Sequence, residues 1–206
     1  MRKRGRGNRN RDGSFFSRKE AHRHVEGEAI GGRVALWLAI HRPDRVLKLI
    51  LNNTGGVSFK EGSVKAQPES RGRYQTAASA AIETPTRETV RQRLERLMVT
   101  PDRVTDELVE IRYKFYSDPE TNKAQLNIRS TNDPEFAEEE VSRIKVPTLV
   151  LATDHNPLRG ADAGKRLAAL ISGAKFHLIK DAAIWAQWEQ AEDHDQAVVS
   201  FLKGQA

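Results

Sequence analysis

The 206-residue chain contains no cysteine. Disulfide bonds, thiolate metal sites and cysteine nucleophiles are therefore excluded, and the cysteine usage gives no sign of secretion. No apolar run approaches the roughly 18 residues that a membrane-spanning helix requires, so we expect a cytoplasmic protein that does not enter a membrane. Apolar residues form 38% of the chain and charged residues 30%, which is typical of a polar but globular protein.

Residues 24–32 have the pattern of a known strand-to-helix turn, except that a serine is missing. Residues His24 to Gly32 read His-Val-Glu-Gly-Glu-Ala-Ile-Gly-Gly, which predicts the end of a strand, a sharp turn and the start of a helix. The frame over residues 27–31 is G-x-A-x-G. With serine in place of Ala29 it would be G-x-S-x-G, the nucleophile elbow of an α/β-hydrolase.

The positive charge of the chain is concentrated at its beginning. Residues 1–23 contain nine Lys or Arg against Asp12 and Glu20, a local charge of +7, so the other 183 residues sum to −1. Residues 1–21 also lack the apolar core of a signal peptide, and we expect them to form a basic, disordered arm. Such an arm can bind nucleic acid weakly and without specificity. A competing hypothesis is an aberrant start, with the structured sequence beginning near residue 20.

The sequence up to residue 56, and again from residue 146 onward, predicts alternating strands and helices. The run 46–51, Val-Leu-Lys-Leu-Ile-Leu, is apolar except for Lys48, which resembles the pattern of a parallel strand covered on both faces. The predicted elements are strands at 22–27, 46–51, 146–151 and 175–180 and helices at 30–41, 162–171 and 193–202. This order predicts an α/β fold with a parallel sheet of about four strands flanked by helices.

Residues 57–146 differ in composition and are rich in Arg and Glu. Apolar residues recur there with helical spacing, which predicts helices at 86–98, 102–115 and about 120–130, and strand signals are absent. We therefore divide the chain into an arm (1–21), a core (22–56 and 147–206) and a helical lid (57–146).

Several stretches together resemble α/β-hydrolases, most closely the meta-cleavage-product hydrolases, which break carbon–carbon bonds. They are the elbow at 27–32, the segments 39–46 and 144–151, and the run Trp185-Ala186-Gln187-Trp188-Glu189. The resemblance covers roughly residues 22–203. It implies a partial α/β-hydrolase fold with a helical lid insertion, because a basic segment of about 20 residues stands where the family has its first strands and an oxyanion loop.

The resemblance also assigns the catalytic positions. The nucleophile position is Ala29, the acid position is Asn156 or Asp154, the base position is Ile184, and the backbone N–H of Ile30 would be an oxyanion donor. Alanine cannot form a covalent intermediate and isoleucine cannot transfer a proton. We therefore expect a degenerate hydrolase that is inactive or strongly impaired, with no metal and no cofactor.

Three further hypotheses follow from the sequence. Glu28, Trp185, Gln187 and Trp188 would line a pocket for a small apolar or aromatic-derived ligand in the family. Asp154 and His155 offer a residual acid and base, so the chain could instead hydrolyse a small ester or meta-cleavage-type diketone by a non-standard mechanism. The edge at 22–27, without the family's preceding strands, would be open to pairing, so self-association into a homo-oligomer is a third hypothesis.

Overall fold

A computed structural model describes residues 22–60, 68–130 and 135–205, so the predicted arm lies outside the described residues. The described strands are β1 (Arg23–Glu28), β2 (Val46–Asn52), β3 (Val57–Ser58), β4 (Phe136–Ala137), β5 (Thr148–Thr153) and β6 (Lys175–Ile179). Four of them form a parallel sheet in the order β1-β2-β5-β6. This confirms the predicted parallel sheet of four strands.

The helices account for most of the remaining described chain. They are α1 (Ile30–His41), α2 (Pro68–Glu83), α3 (Arg87–Glu95), α4 (Asp106–Ser117), α5 (Pro119–Ser130), α6 (Glu138–Val141), α7 (Gly160–Leu170), α8 (Ala186–Glu189) and α9 (Ala191–Lys203). The predicted helices lie within a few residues of α1, α3, α4, α5, α7 and α9. Helix α2 was not predicted, because its alanine- and serine-rich sequence has little apolar periodicity. No helix in the described ranges is long and apolar enough to cross a membrane.

The prediction that strands are absent from residues 57–146 was wrong. Strands β3 and β4 pair with each other in parallel, Val57 opposite Phe136 and Ser58 opposite Ala137. The backbone N–H of Phe136 also donates to the carbonyl of Gly56 at 2.8 Å. Strands of two residues are too short to show the alternation of side chains by which a strand is recognised in a sequence.

The sheet is buried between two layers of helices. On one face Leu36 of α1 packs with Leu49 of β2 in an apolar cluster. On the other face Phe201 of α9 packs with Ile50. Strand β5 is buried at all six positions, which is typical of a parallel strand covered on both faces.

A polar contact ties α9 to the edge strand β1. The Nε2 atom of the buried His194 lies 3.0 Å from Glu26 Oε1, and its Nδ1 atom lies 3.0 Å from Asp195 Oδ1. The hydrogen bond to Glu26 raises the pKa of His194 above its ordinary value, although burial opposes the shift. The contact therefore favours the charged imidazolium, which pairs with both carboxylates.

Strand β1 is at the edge of the sheet. Among the described residues, it pairs with β2 on one side and with no strand on the other. Helix α1 exposes an apolar stripe on its surface, with Ile30 56%, Val34 63% and Trp37 50% exposed. These residues are spaced by about one helical turn and so lie on one face of the helix. Self-association through this edge stays a prediction.

Candidate functional site

The turn at Ala29 has the strained backbone of an elbow, although the serine is absent. Ala29 lies between β1 and α1 with φ 49° and ψ −110°, a conformation that residues with a side chain rarely adopt. Its backbone N–H donates to the carbonyl of Asn52 at 3.0 Å. The sharp strand-to-helix turn is therefore specified by the backbone and its packing and does not depend on a serine.

Replacing Ala29 with glycine is expected to raise the free energy of unfolding by about 1 kcal/mol. Relief of the backbone strain stabilises the folded state by about 1–3 kcal/mol. The greater flexibility of glycine in the unfolded chain opposes this gain by about 0.5–1 kcal/mol. Urea unfolding measures the difference. The control Ala39→Gly, inside α1, should lower stability by about 1 kcal/mol or more. A loss of stability in Ala29→Gly would show that the turn is not strained.

The three positions that the resemblance assigns to a catalytic triad meet in one cavity. Ala29, Asn156 and Ile184 all line a cavity of about 160 Å³ at the carboxyl ends of the strands. Ile30, the predicted oxyanion donor, also lines it. The remaining lining residues are Arg33, Asn53, Gly55, Leu158 and Arg159. The cavity thus brings these positions together, and the positions assigned to the nucleophile and the base both hold an alkyl side chain.

Asn156, one of the two candidate acid positions, is a buried amide. Asn156 Nδ2 donates to Asn53 Oδ1 at 3.1 Å, and Asn156 Oδ1 accepts from the N–H of Leu158 at 2.8 Å. Asp154, the alternative acid, is exposed and accepts from the N–H groups of Asp181 and Ala182 instead. An amide carries no charge, so Asn156 cannot stabilise an imidazolium as a triad carboxylate does.

The base position is part of an apolar cluster. Ile184 is 3% exposed and packs with residues of α2, α3 and α4. Its N–H donates to the carbonyl of Leu97 at 2.9 Å, and its own carbonyl accepts from Asn53 Nδ2 at 3.0 Å. No atom of this side chain can accept a proton, so the cavity has no general base at this position.

A model of the alpha/beta hydrolase fold family matches residues 21–191, most of the chain. The chain belongs to the α/β-hydrolase fold family. A related α/β-hydrolase is the 2-hydroxy-6-oxononadienedioate/2-hydroxy-6-oxononatrienedioate hydrolase of Klebsiella pneumoniae, 28% identical over 192 residues. That match covers 87% of this chain and 62% of the relative, so this α/β-hydrolase spans about three fifths of the relative's length.

Solved α/β-hydrolase structures have the same fold. The meta-cleavage product hydrolase of Pseudomonas fluorescens, solved as a Ser-to-Ala mutant complexed with acetates, matches with a TM-score of 0.75 and 22% identity over 91% of this chain and 67% of that one. The 2-hydroxy-6-oxo-6-phenylhexa-2,4-dienoate hydrolase of Rhodococcus matches with a TM-score of 0.73 and 19% identity over 89% of this chain and 64% of that one. This α/β-hydrolase chain therefore resembles meta-cleavage-product hydrolases, as predicted.

None of the four predicted pocket residues lines the cavity around Ala29, which we call the elbow cavity. Gln187 Nε2 donates to Glu28 Oε2 at 2.7 Å, and burial raises the pKa of Glu28 above its ordinary value. Trp185 packs against the helical segment, with the Arg112 guanidinium 5.4 Å from its ring centre. Trp188 is 46% exposed. Their role in a pocket stays a prediction.

The predicted residual acid and base also lie outside the elbow cavity. His155 Nε2 is 3.9 Å from Asp154 Oδ2, which is longer than a hydrogen bond. Asp154, His155 and Asp181 are the described residues whose ligand atoms lie close enough together, within 4.8 Å, to hold a metal ion, and all three are exposed. This cluster therefore lacks the enclosure that a catalytic pair or a buried metal centre usually has.

The polar residues of this cavity were not predicted from the sequence. Arg33 and Arg159 line it, and so does Asn53 in the loop after β2. Two features of the sequence could have indicated Arg33 and Asn53. Arg33 follows Ala29 by four residues, one turn along α1, and Asn53 follows the carboxyl end of a parallel strand, where α/β folds place their sites.

Proposed function

We propose that this chain is an α/β-hydrolase-fold protein that binds a small ligand in the elbow cavity and does not catalyse serine-type hydrolysis. One observation carries the proposal. Ala29 and Ile184 face the same cavity, so neither a nucleophile nor a base is available where the fold would use them. In a well-studied serine protease the loss of either group alone costs about 10⁶ in turnover.

We further propose that α2–α5 act as a lid over this site. The support is the packing of this helical segment around the base position. Leu97 and Met98 belong to the same apolar cluster as Ile184. The buried carboxylate of Glu189 also accepts from the N–H groups of Val99 and Thr100 at 2.6 and 3.0 Å. A lid held in this way would enclose a ligand between the helices and the sheet.

The chemical class of the ligand is suggested by the relatives. The relatives in Klebsiella and Rhodococcus are named as hydrolases of 2-hydroxy-6-oxo acids. The elbow cavity, at about 160 Å³, is smaller than the roughly 300–1,000 Å³ of sites for drug-sized molecules. A ligand of this site is therefore a small molecule, or the small reacting end of a longer one.

The alternative, hydrolysis by Asp154 and His155, has less support. A general base must lie within about 2.6–3.2 Å of the proton it removes, directly or through one water. Both side chains are exposed and neither lines the cavity at Ala29. An ester held at the elbow would therefore lie apart from this pair.

Steady-state assays test the absence of catalysis. With p-nitrophenyl acetate or 2-hydroxy-6-oxo-6-phenylhexa-2,4-dienoate, we expect the wild-type rate to equal the buffer rate. Asp154→Asn and His155→Gln should leave that rate unchanged, because neither group takes part in a reaction. Turnover above the buffer rate would contradict the proposal, and its loss in either variant would assign the reaction to this pair.

A further inference from the structure

Strand β1 can accept a further strand along its outer edge. Within residues 22–60, 68–130 and 135–205 it pairs with β2 alone. Its sequence contains no proline, so each of its backbone N–H groups can donate. An open edge of this kind is a template for a strand of another chain, and the side chains of β1 indicate which strand fits.

The sequence of β1 is complementary to itself in the antiparallel direction. Side chains alternate between the two faces of a sheet, and Glu26 lies on the α9 face because it is bonded to His194 of that helix. His24, two residues earlier, is exposed on the same face. Two copies related by a two-fold axis at Val25 would place His24 of each copy opposite Glu26 of the other. The bond to His194 uses Oε1, so the second carboxylate oxygen can accept from this histidine.

The other face of β1 is apolar at the same axis. Val25 is partly buried and packs in the apolar cluster that contains Leu36 of α1. A two-fold axis at this position places the two copies of Val25 opposite each other, and apolar pairs across strands stabilise a sheet. Both rows of side chains therefore favour the same antiparallel register, in which the two four-stranded sheets join into one continuous sheet.

This register also brings the two α1 helices to packing distance. Helix α1 packs against both β1 and β2, so its axis lies about half a strand spacing inside β1. With strands about 4.8 Å apart, the two helix axes would be about 10 Å apart, close to the 8–10 Å of packed helices. Val25 lies about 10 Å from the carboxyl end of β1, the length of about seven helical residues. The helices would therefore meet between Val34 and Leu38.

The flank of α1 that would meet its copy is apolar and open. Arg33 marks the opposite flank, because its side chain lies over Gly56 in the loop after β2. Val34 and Leu38, one turn apart, lie on the flank away from β2, and Val34 is 63% exposed. Gly31 is exposed on the same flank, and a Cβ there would meet nothing within 4 Å. A glycine at this place lets a second helix approach closely.

We propose that β1 and α1 form a two-fold interface between two copies of this chain, centred on Val25. The antiparallel pairing uses the β1 edge of both copies, so it closes at a dimer. Pairing of β1 with β6 of the next copy would instead leave a free edge at each end and continue into a filament. The interface is independent of the proposed function, because it uses neither the side chain of Ala29 nor that of Ile184.

Cysteine cross-linking of the full chain tests the register, because the wild type contains no cysteine. Directly opposed Cα atoms in an antiparallel pair are about 4.5–5.5 Å apart, which is within the range of a disulfide bond. We expect Val25→Cys to form a covalent dimer on mild oxidation. Lys175→Cys is the control, since this exposed residue begins β6 at the other edge of the sheet. It should remain monomeric on a denaturing gel.

Analytical ultracentrifugation measures the dissociation constant of the dimer. Val34→Lys should raise this constant about tenfold or more, because it introduces a charge into the apolar contact of both copies. Val199→Lys is the matched control. Val199 is also an exposed helical valine, 44% exposed, but it belongs to α9, and we expect a change of less than about twofold. Circular dichroism verifies that each variant is folded.

The charge order of β1 is tested separately at His24. His24→Glu should weaken the dimer about fivefold, because two carboxylates would then oppose each other at both symmetric contacts. His24→Lys keeps a donor opposite Glu26 and should leave the dissociation constant within about twofold of the wild-type value. Equal losses in these two variants would show that His24 and Glu26 of different copies do not meet, and would overturn the register.

Three other results would overturn the proposal: a wild type that sediments as a monomer or as an assembly larger than a dimer, equal cross-linking of Val25→Cys and Lys175→Cys, or equal weakening by Val34→Lys and Val199→Lys. A variant without residues 1–21 tests a different occupant of the edge. This deletion should leave the dimer intact. A monomeric full chain that dimerises after the deletion would show that residues 1–21 cover β1 within one copy, and the proposal would be wrong for the intact protein.

Discussion

The double variant Ala29→Ser/Ile184→His is expected to hydrolyse p-nitrophenyl acetate about 100-fold faster than the wild type. The elbow already has the backbone that presents a side chain at position 29, with φ 49° and ψ −110°. Positions 29 and 184 already line the same cavity. Serine and histidine there would supply the missing nucleophile and base.

The size of this gain follows from what the double variant still lacks. Loss of the nucleophile or the base costs about 10⁶ in turnover, and an amide in place of the triad carboxylate costs about 10⁴. Asn156 remains an amide, so restoring the other two groups recovers about 10². The backbone N–H groups at the start of α1 are the oxyanion donors in the described cavity. The family's oxyanion loop is not among the described residues, and its absence would limit the rate further.

The single variants are the controls for this experiment. Ala29→Ser alone has no base, and Ile184→His alone has no nucleophile, so each should remain at the wild-type rate, because triad members act as a unit. Ile184→His also places a polar ring in an apolar cluster, so its thermal stability must be measured alongside. A folded double variant that stays inactive would show that the cavity no longer has catalytic geometry.

The meeting of Ala29, Asn156 and Ile184 in one cavity could be predicted from the sequence, because each residue follows a strong local signal. The glycines around Ala29 specify a tight turn between a strand and a helix, and the structure has that turn. Asn156 comes soon after β5 and Ile184 soon after β6. The carboxyl ends of neighbouring parallel strands meet at one edge of the sheet, so residues distant in sequence were expected to meet there.

The polar character of the cavity could not be predicted in the same way. The directions of Arg33 and Arg159 depend on space left by Gly55 and Gly56 in a loop that comes from another part of the chain. A long side chain has many rotamers, and only the packed structure selects one. The same reason explains why Glu28, beside Ala29 in sequence, forms its hydrogen bond to Gln187 instead of lining the cavity.

Replacing Gly27 with alanine is expected to lower the free energy of unfolding by about 3 kcal/mol or more, as overpacking against a rigid backbone does. A Cβ at this position would overlap the carbonyl group of Gly31 and lie 2.7 Å from the backbone nitrogen of Gly32. These atoms belong to the first turn of α1, so relief requires the whole helix to move away from β1. Urea unfolding monitored by circular dichroism measures the loss.

Gly31→Ala is the matched control four residues along the chain. A Cβ there meets nothing within 4 Å, so alanine should stabilise the helix by about 0.5–1 kcal/mol. Equal effects of the two substitutions would show that close approach of α1 to β1 is not the reason for glycine at position 27. Opposite signs would establish that the elbow glycine is required by packing alone. The turn would then persist in a chain without the serine, because folding needs it whether or not chemistry takes place there.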